Sequence, residues 1–131
     1  MNLWHWLARK RMERLHPERR WRLSLEDGLL TLDAPDSARH LLRLAALERV
    51  AIETNDIGPW GTDLWWRLFG PDGRVALSFP RGAVGEKPVV DALMALPGFD
   101  HMAMLQAMGC TQNRLFLLWR AETALSQGVS S

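Results

Sequence analysis

Two aspartates in the middle of the chain, Asp56 and Asp63, are the side chains whose types and spacing are best suited to chemistry. Glu53 lies just upstream, so three carboxylates fall within one short segment. Carboxylates grouped in this way hold hard cations or act as a general acid and base. The spacing matches no calcium-binding loop, however, and both aspartates could instead bond to backbone amides and fix the shape of a loop. A small hydrolytic or metal-dependent site on Glu53, Asp56 and Asp63 is therefore one hypothesis.

The remaining reactive side chains do not favour catalysis. The single cysteine, Cys110, follows a predicted helix whose negative C-terminal dipole disfavours a thiolate, which predicts a buried and inert thiol. The four histidines, at positions 5, 16, 40 and 101, lack the i, i+4 spacing of metal ligands. No nucleophile elbow, phosphate-binding loop or dinucleotide-binding glycine motif is present. We therefore expect no catalytic residues of a conventional enzyme, no metal ligands and no small-molecule cofactor.

Tryptophan is unusually abundant, since the chain has seven tryptophans and no tyrosine. Trp65 and Trp66 are adjacent on a predicted strand, where successive side chains point to opposite faces. We predict that Trp66 is buried, because its neighbours on that face are leucines. Trp65 shares its face with Arg67 and Phe69, a mixed surface that a helix or a partner must cover. Together with the preceding segment, these residues define a candidate binding set, namely Asp56, Trp60, Asp63, Trp65 and Arg67.

The segment from residue 50 to residue 79 organises the predicted fold. Three runs within it alternate along the chain with the period of two that is typical of strands. Gly70-Pro71-Asp72-Gly73 joins the second and third runs as a hairpin turn, since proline presets φ, aspartate bonds its own backbone and glycine adopts positive φ. Residues 55–62, between the first two runs, are predicted to form a polar loop. Further strands are predicted at residues 21–25, 28–32, 40–44 and 113–120.

Two short helices are predicted late in the chain, at residues 86–96 and 101–108. Pro88 is tolerated in the first turn of the former, and Asp100 is a suitable N-cap for the latter. Residues 44–49 are rich in alanine and leucine but short, which predicts a turn or a single helical turn. The element order predicts an α+β fold with an antiparallel sheet of about six to seven strands, an N-terminal helix and these two late helices.

With 131 residues, of which 47% are apolar and 24% charged, the chain fits one globular domain, residues 1–131. Its charge is uneven, because the first 22 residues carry seven basic and two acidic side chains, whereas the remainder carries nine basic and thirteen acidic ones. We predict a basic helical arm over residues 1–20, an α+β body over residues 21–120 and a disordered tail over residues 121–131.

The basic arm has three interpretations. Its cationic side chains, together with Trp4 and Trp6, suit an anionic membrane surface or the phosphates of a nucleic acid. Against both, Glu13 and Glu18 dilute the positive charge, and an acidic body repels a polyanion. The third interpretation is an amphipathic helix over residues 3–15 that docks on the body and turns its basic face to solvent.

Several short motifs stand out along the chain from residue 54 onward. They are Thr54-Asn55-Asp56-Ile57-Gly58-Pro59, Asp63-Leu64-Trp65-Trp66, Leu96-Pro97-Gly98-Phe99-Asp100, and Ala107-Met108 followed by Thr111, Asn113, Phe116 and Trp119. Together they resemble a family of small uncharacterised bacterial proteins over about residues 45–120. This resemblance implies a shared fold without an established activity.

A looser pattern resembles the pleckstrin-homology-like superfold. Its pieces are Asp27-Gly28-Leu29-Leu30-Thr31-Leu32, Leu47-Glu48-Arg49-Val50-Ala51-Ile52 and the helix predicted at residues 86–96. The resemblance implies a pleckstrin-homology-like sheet. The chain departs from the plain pattern after Phe99, where that helix would end the domain.

The missing catalytic motifs and the surplus of aromatic residues favour a noncatalytic module that binds a protein partner or a second copy of itself as a homodimer. The carboxylate site, and membrane or nucleic-acid contact through the arm, are the alternatives. We predict a cytoplasmic protein from three features of the sequence. The chain has a single cysteine, no apolar run near the roughly 20 residues of a membrane span and no apolar core of a signal peptide.

Overall fold

A computed structural model describes residues 17–58 and 61–122 of the chain. This part has an α+β fold, as predicted, with seven strands that pair antiparallel and two α-helices. The strands are β1 (Arg22–Glu26), β2 (Leu29–Asp33), β3 (Arg39–Arg43), β4 (Arg49–Gly58), β5 (Gly61–Phe69), β6 (Val75–Pro80) and β7 (Arg114–Arg120). The helices are α1 (Glu86–Met94) and α2 (His101–Met108).

The seven strands divide between two sheets, a division that the sequence did not reveal. One sheet has the order β1-β2-β3, and the other has the order β6-β5-β4-β7. The division falls at Leu44–Ala46, which form one turn of 3-10 helix directly after β3. The chain thereby leaves the first sheet before β4 begins, and the single helical turn predicted here is confirmed.

Turn chemistry sets the register of two hairpins. Between β1 and β2, Asp27 and Gly28 have φ values of 51° and 76°, and a two-residue type I′ turn requires positive φ at both positions. Between β5 and β6, the N–H of Gly73 donates to the carbonyl of Gly70 over 3.0 Å. Gly73 has a φ of 76°, which its lack of a Cβ permits. Both predicted turns are confirmed.

The predicted polar loop at residues 55–62 is wrong, because most of this segment is strand. β4 continues through Asn55 to Gly58, so that Asn55 lies opposite Asp63 and Gly58 lies opposite Gly61. A register shift between Asn55 and Gly58 accommodates the unequal strand lengths as a β-bulge. Since the bulge absorbs the extra residue, strand pairing continues almost to the tip of the hairpin.

β7 completes the four-stranded sheet from far along the chain. After β6 the chain forms α1 and α2, and β7 then pairs with β4, with Phe116 opposite Ile52 and Leu115 opposite Glu53. The backbone N–H of Asp100, just before α2, donates to the carbonyl of Leu118 over 2.7 Å. The strand that follows the helices is therefore an integral part of the sheet.

One core joins the two sheets and the helices. Leu30 from the first sheet, Trp66 from the second, and Val89 and Leu93 from α1 belong to the same buried cluster. Trp66 is 1% exposed and stacks on Phe79, with ring centroids 6.2 Å apart and planes inclined by 12°. The prediction that Trp66 is the buried member of the tryptophan pair is confirmed.

The helices begin at well-defined residues. The side chain of Asp100 accepts a hydrogen bond from the N–H of Ala103 over 2.9 Å, so the predicted N-cap of α2 is confirmed. Gly85 precedes α1 with a φ of 80°, and a Cβ there would lie 2.1 Å from the carbonyl oxygen of Leu23. Only glycine fits this close approach between α1 and β1. α1 ends at Met94, slightly earlier than predicted.

Some predictions fall on residues that the structure does not describe. The helix predicted over residues 3–15 lies outside the described residues, as does most of the basic arm. The last part of the arm, Pro17–Arg20, is a 3-10 helix. Most of the tail, residues 123–131, also lies outside the described residues.

Candidate functional site

The described candidate binding residues meet on the face of the four-stranded sheet that is turned away from the core, which we call the outer face. The strand register places two rows of side chains across it, namely Leu115, Glu53, Trp65 and Pro80, and next to them Leu117, Ala51, Arg67 and Ser78. Asp63 lies on the same face at the beginning of β5, diagonal to Glu53. Trp65 and Arg67 therefore share one surface, as the alternation of the strand predicted, and Asp63 extends this surface because β5 begins before it.

Arg67 is held in the middle of the outer face by three neighbouring side chains. Its Nε donates to Oε2 of Glu53 over 3.1 Å, and its guanidinium also donates to the hydroxyl of Ser78. The guanidinium carbon lies 5.4 Å from the ring centroid of Trp65, within the range of a cation–π interaction. The carboxylate of Glu53 is therefore neutralised by the guanidinium of Arg67 within the same chain.

The carboxylates grouped by the sequence are only partly described. Asp63 is exposed and lies opposite Asn55. The side chain of Asp56 and the whole of Trp60 lie outside the described residues. Among the side chains that are described, no three from His, Cys, Asp and Glu come together in a way that would hold a metal ion. The site on Glu53, Asp56 and Asp63 stays a prediction.

Trp65 is partly buried, and part of its cover comes from Trp21 of the same chain. The two ring centroids lie 5.3 Å apart with planes at 87°, an edge-to-face contact. Trp21 follows the 3-10 helix at Pro17–Arg20, and its carbonyl accepts from the N–H of Val84 over 2.9 Å. An aromatic residue just before β1 therefore supplies part of the cover, and further cover by a helix or a partner stays a prediction.

A cavity of about 390 Å³ opens beside this tryptophan pair. Trp65 lines it from β5 and Trp21 from the residue before β1, whereas Met108 lines it from the end of α2 and Cys110 from the chain just after that helix. Its volume lies in the range of small-molecule pockets, which are mostly apolar with a few placed polar groups.

Charged groups at the cavity come from three different parts of the fold. Glu18 belongs to the 3-10 helix, Asp63 lies near the start of β5, and Arg81 follows β6. Sequence reasoning selected Asp63 but missed the other two, because they meet it only through the tertiary structure. Two carboxylates and one guanidinium thus line this cavity among the described residues.

Cys110 is not the buried thiol that the sequence predicted. It is partly exposed and lines the cavity. The backbone N–H of Gln112 donates to its Sγ over 3.4 Å. This hydrogen bond is the largest of the effects that hold the pKa of the thiol below its usual 9.0, and a hydrogen bond from the side chain of Thr54 and the positive charge of Arg114 act in the same direction. The chain after α2 turns back so that an N–H donates to the sulfur, and this hydrogen bond favours the thiolate.

β7 forms one edge of the four-stranded sheet. Its outer-face side chains are highly exposed, at 63% for Leu115 and 44% for Leu117. Among the described residues, hydrogen bonds from outside the sheet reach β7 near its end, where the N–H of Asp100 donates to the carbonyl of Leu118 and Nε1 of Trp119 donates to the carbonyl of Pro97 over 2.9 Å. The sequence missed this surface because the strand is almost continuously apolar and shows no alternation.

Within residues 17–58 and 61–122, no helix combines the length and the apolar character that crossing a bilayer requires. Comparisons with protein-family models, with curated proteins and with solved structures found no match to this chain. The resemblance to a family of small bacterial proteins, the pleckstrin-homology-like assignment and the cytoplasmic location therefore stay predictions.

Proposed function

We propose that this chain is a noncatalytic interaction module and that β7, with the outer face beside it, binds a protein partner. The observation that carries the proposal is the pair of exposed leucines on an edge strand, Leu115 and Leu117. Proteins usually blunt such an edge with charges, proline, bulges or a covering element, because an open edge pairs with other chains. Here the covering contacts, at Leu118 and Trp119, and the bulge of β7 at Leu118 all lie in its last part, so the leucines nearer its start are accessible.

The occupant expected at such an edge is an extended segment that adds a strand to the sheet. In this mode backbone hydrogen bonds supply affinity, and pockets or surfaces for alternate side chains supply specificity. Leu115 and Leu117 are two residues apart and share the outer face. A partner with apolar side chains at alternate positions would bury both of them.

The charges on β7 specify the partner further. Arg114 and Arg120 are exposed at the two ends of the strand, which contains no acidic residue. A segment with Asp or Glu on either side of its apolar positions complements this pattern. Because these arginines are exposed, their contribution should weaken as salt screens it.

The same arginines disfavour a second copy of this chain as the occupant. Pairing β7 antiparallel with the whole of its own copy would place Arg114 opposite Arg120 at both ends. Like charges directly opposite each other destabilise a strand pair. Of the two partners that the sequence suggested, a different protein is therefore the proposed one, and the homodimer is not proposed for this edge.

A pair of synthetic peptides tests the proposal with the full chain. Both peptides carry leucines at alternate positions, but one ends in aspartates and the other in lysines. Fluorescence anisotropy of the labelled peptides should show binding of the acidic peptide, weaker binding at high salt and little binding of the basic one. Equal binding of the two peptides, or binding of neither, would contradict the proposal.

Matched leucine variants locate the binding surface. Leu117→Thr should weaken binding of the acidic peptide by about tenfold or more, since burial of a leucine side chain is lost while threonine keeps the preference for strand. The control is Leu41→Thr, because Leu41 is similarly exposed, at 57%, on β3 of the other sheet. If the control weakens binding as much as Leu117→Thr does, the peptide does not bind at β7.

A further inference from the structure

Two arginines from neighbouring strands lie side by side on the outer face. Arg49, the first residue of β4, lies directly opposite Arg120, the last residue of β7, and both are exposed. On its other side Arg49 lies opposite Phe69 of β5, so these three neighbours across the sheet include no carboxylate. The outer-face carboxylate of Glu53 is already neutralised by Arg67. Positive charge is therefore concentrated at the end of β7.

A β-bulge brings Arg120 to this face. Leu117 and Trp119 of β7 lie opposite adjacent residues of β4, so Leu118 between them is the extra residue. Without the bulge, the alternation that turns Leu117 outward would turn Arg120 toward the core. Bulges re-aim side chains and occur frequently beside functional sites. The two arginines thus meet because of the backbone of the sheet.

Neither Arg49 nor Arg120 forms an ion pair with a carboxylate of the described residues. Glu48 precedes Arg49, and the alternation along a strand directs its side chain to the opposite face. Glu122 follows Arg120 by two residues, but one exposed carboxylate against two guanidiniums leaves a net positive charge. Since like charges directly opposite each other destabilise a strand pair, an anion bound between the arginines would relieve their repulsion.

Two adjacent guanidiniums suit a phosphate monoester better than a carboxylate. A carboxylate has one charge and two oxygens, which a single arginine binds through two parallel N–H donors. A phosphate monoester has a charge of about −1.5 to −2 at neutral pH and three acceptor oxygens. It therefore has enough charge and enough oxygens to bind both arginines at once.

We propose that Arg49 and Arg120 bind a phosphorylated side chain of the segment that pairs with β7, an inference that rests on the function proposed above. An added strand lies beside β7, so Arg120 is next to it and Arg49 is one strand further in. A phosphoserine placed beyond the apolar positions of the segment reaches both. At the start of β7, Arg114 lies opposite Thr54, so the other end of the strand lacks this pair of guanidiniums.

The test moves a phosphoserine from one end of the partner peptide to the other. Because a segment can pair with β7 in either direction, the aspartate before the leucines and the aspartate after them are replaced by phosphoserine in two separate peptides. In fluorescence anisotropy with the full chain, one phosphopeptide should bind at least about threefold more tightly than the aspartate peptide, and the other should gain much less. An equal gain for both, or no gain for either, overturns the proposal.

Matched arginine variants locate the phosphate. Arg49→Gln and Arg120→Gln should each weaken binding of the tighter phosphopeptide by about two- to fivefold and remove its advantage over the aspartate peptide. Arg114→Gln removes the same charge at the other end of β7 and should leave this advantage unchanged. Both pair variants should melt no lower than the wild type, because each removes one of two opposed like charges. An advantage that persists in both pair variants overturns the proposal.

A small phosphate monoester separates the failure of this inference from the failure of the proposed function. Phenyl phosphate cannot add a strand, so a titration of the ¹⁵N-labelled chain with it tests the arginines alone. If the aspartate peptide binds and phosphoserine adds nothing, the phosphate site is refuted and the proposed function stands. If no peptide binds but phenyl phosphate shifts the backbone N–H signals of Arg49 and Arg120, a phosphorylated segment is refuted as the occupant, together with the proposed function.

Discussion

Replacing Trp66 with alanine should cost far more stability than replacing its neighbour Trp65. Trp66 is 1% exposed and stacks on Phe79, whereas Trp65 is only partly buried on the outer face. Truncation of a buried tryptophan to alanine typically costs about 3–5 kcal/mol, because the transfer energy is lost and a cavity is left. Since a small domain has a free energy of unfolding of about 5–15 kcal/mol, Trp66→Ala should be poorly folded or close to it.

The cost for Trp65→Ala is assembled from weaker contacts. Its edge-to-face contact with Trp21 contributes about 0.5–1.5 kcal/mol, and the guanidinium of Arg67 contributes about 0.5–1 kcal/mol more at an exposed site. With some loss of partial burial, the total should be near 2 kcal/mol. The two variants should thus differ by about 1–3 kcal/mol, with Trp66→Ala the less stable.

Urea denaturation followed by far-ultraviolet circular dichroism measures the difference without relying on tryptophan fluorescence, which the substitutions themselves alter. Trp66→Phe serves as a control, since it keeps an aromatic ring against Phe79 and should fall between wild type and Trp66→Ala. Equal destabilisation by the two alanine variants, or a greater loss for Trp65→Ala, would refute the assignment of these side chains to the inner and outer faces.

Three further predictions concern a glycine, a partly buried carboxylate and the N-cap of α2. Gly85→Ala should destabilise the fold strongly, because the new Cβ would collide with the carbonyl of Leu23. The control Gly98→Ala should cost only about 1–2 kcal/mol, because Gly98 has a φ of 83° but open space around it. Equal melting temperatures of the two variants would contradict this prediction. Burial raises the pKa of Glu86 above its usual 4.5. The free energy of unfolding of the wild type should therefore fall, relative to that of Glu86→Gln, as the pH rises from 4.5 through the higher pKa of the folded state. A difference between the two proteins that does not depend on pH would contradict the shift. Asp100→Ala should lower the free energy of unfolding by about 0.5–2 kcal/mol by removing the cap of α2, whereas Asp100→Asn should retain most of it; an unchanged melting curve for Asp100→Ala would exclude the role.

The elements that the sequence predicted well are those in which local chemistry and tertiary structure agree. The turn at Asp27-Gly28 needs positive φ at both residues, and the cap at Asp100 needs only an N–H three residues on. The burial of Trp66 followed from the period of two along β5. In each case a few neighbouring residues contain the whole physical reason.

The features that sequence reasoning missed depend on distant parts of the chain. The polar residues from Asn55 to Gly58 suggested a loop, but pairing with β5 and a bulge keep them in a strand. The near-continuous apolar run of β7 did not show which of its leucines face outward. The lowered pKa of the Cys110 thiol results from contacts made by the chain after α2, which no pattern in the sequence indicated.

The pairing of β7 with β4 also bears on the order in which the molecule folds. β4, β5 and β6 are joined by short hairpins and can pair early, whereas Arg49 must find Arg120 across two intervening hairpins and both helices. Closing so long a segment carries a larger entropy cost than closing a hairpin, and non-local pairing slows folding. Until β7 pairs with it, β4 has an open edge along Val50 and Ile52. We therefore expect the late docking of β7 to limit the folding rate. The same step sets the period during which the nascent chain is prone to aggregate.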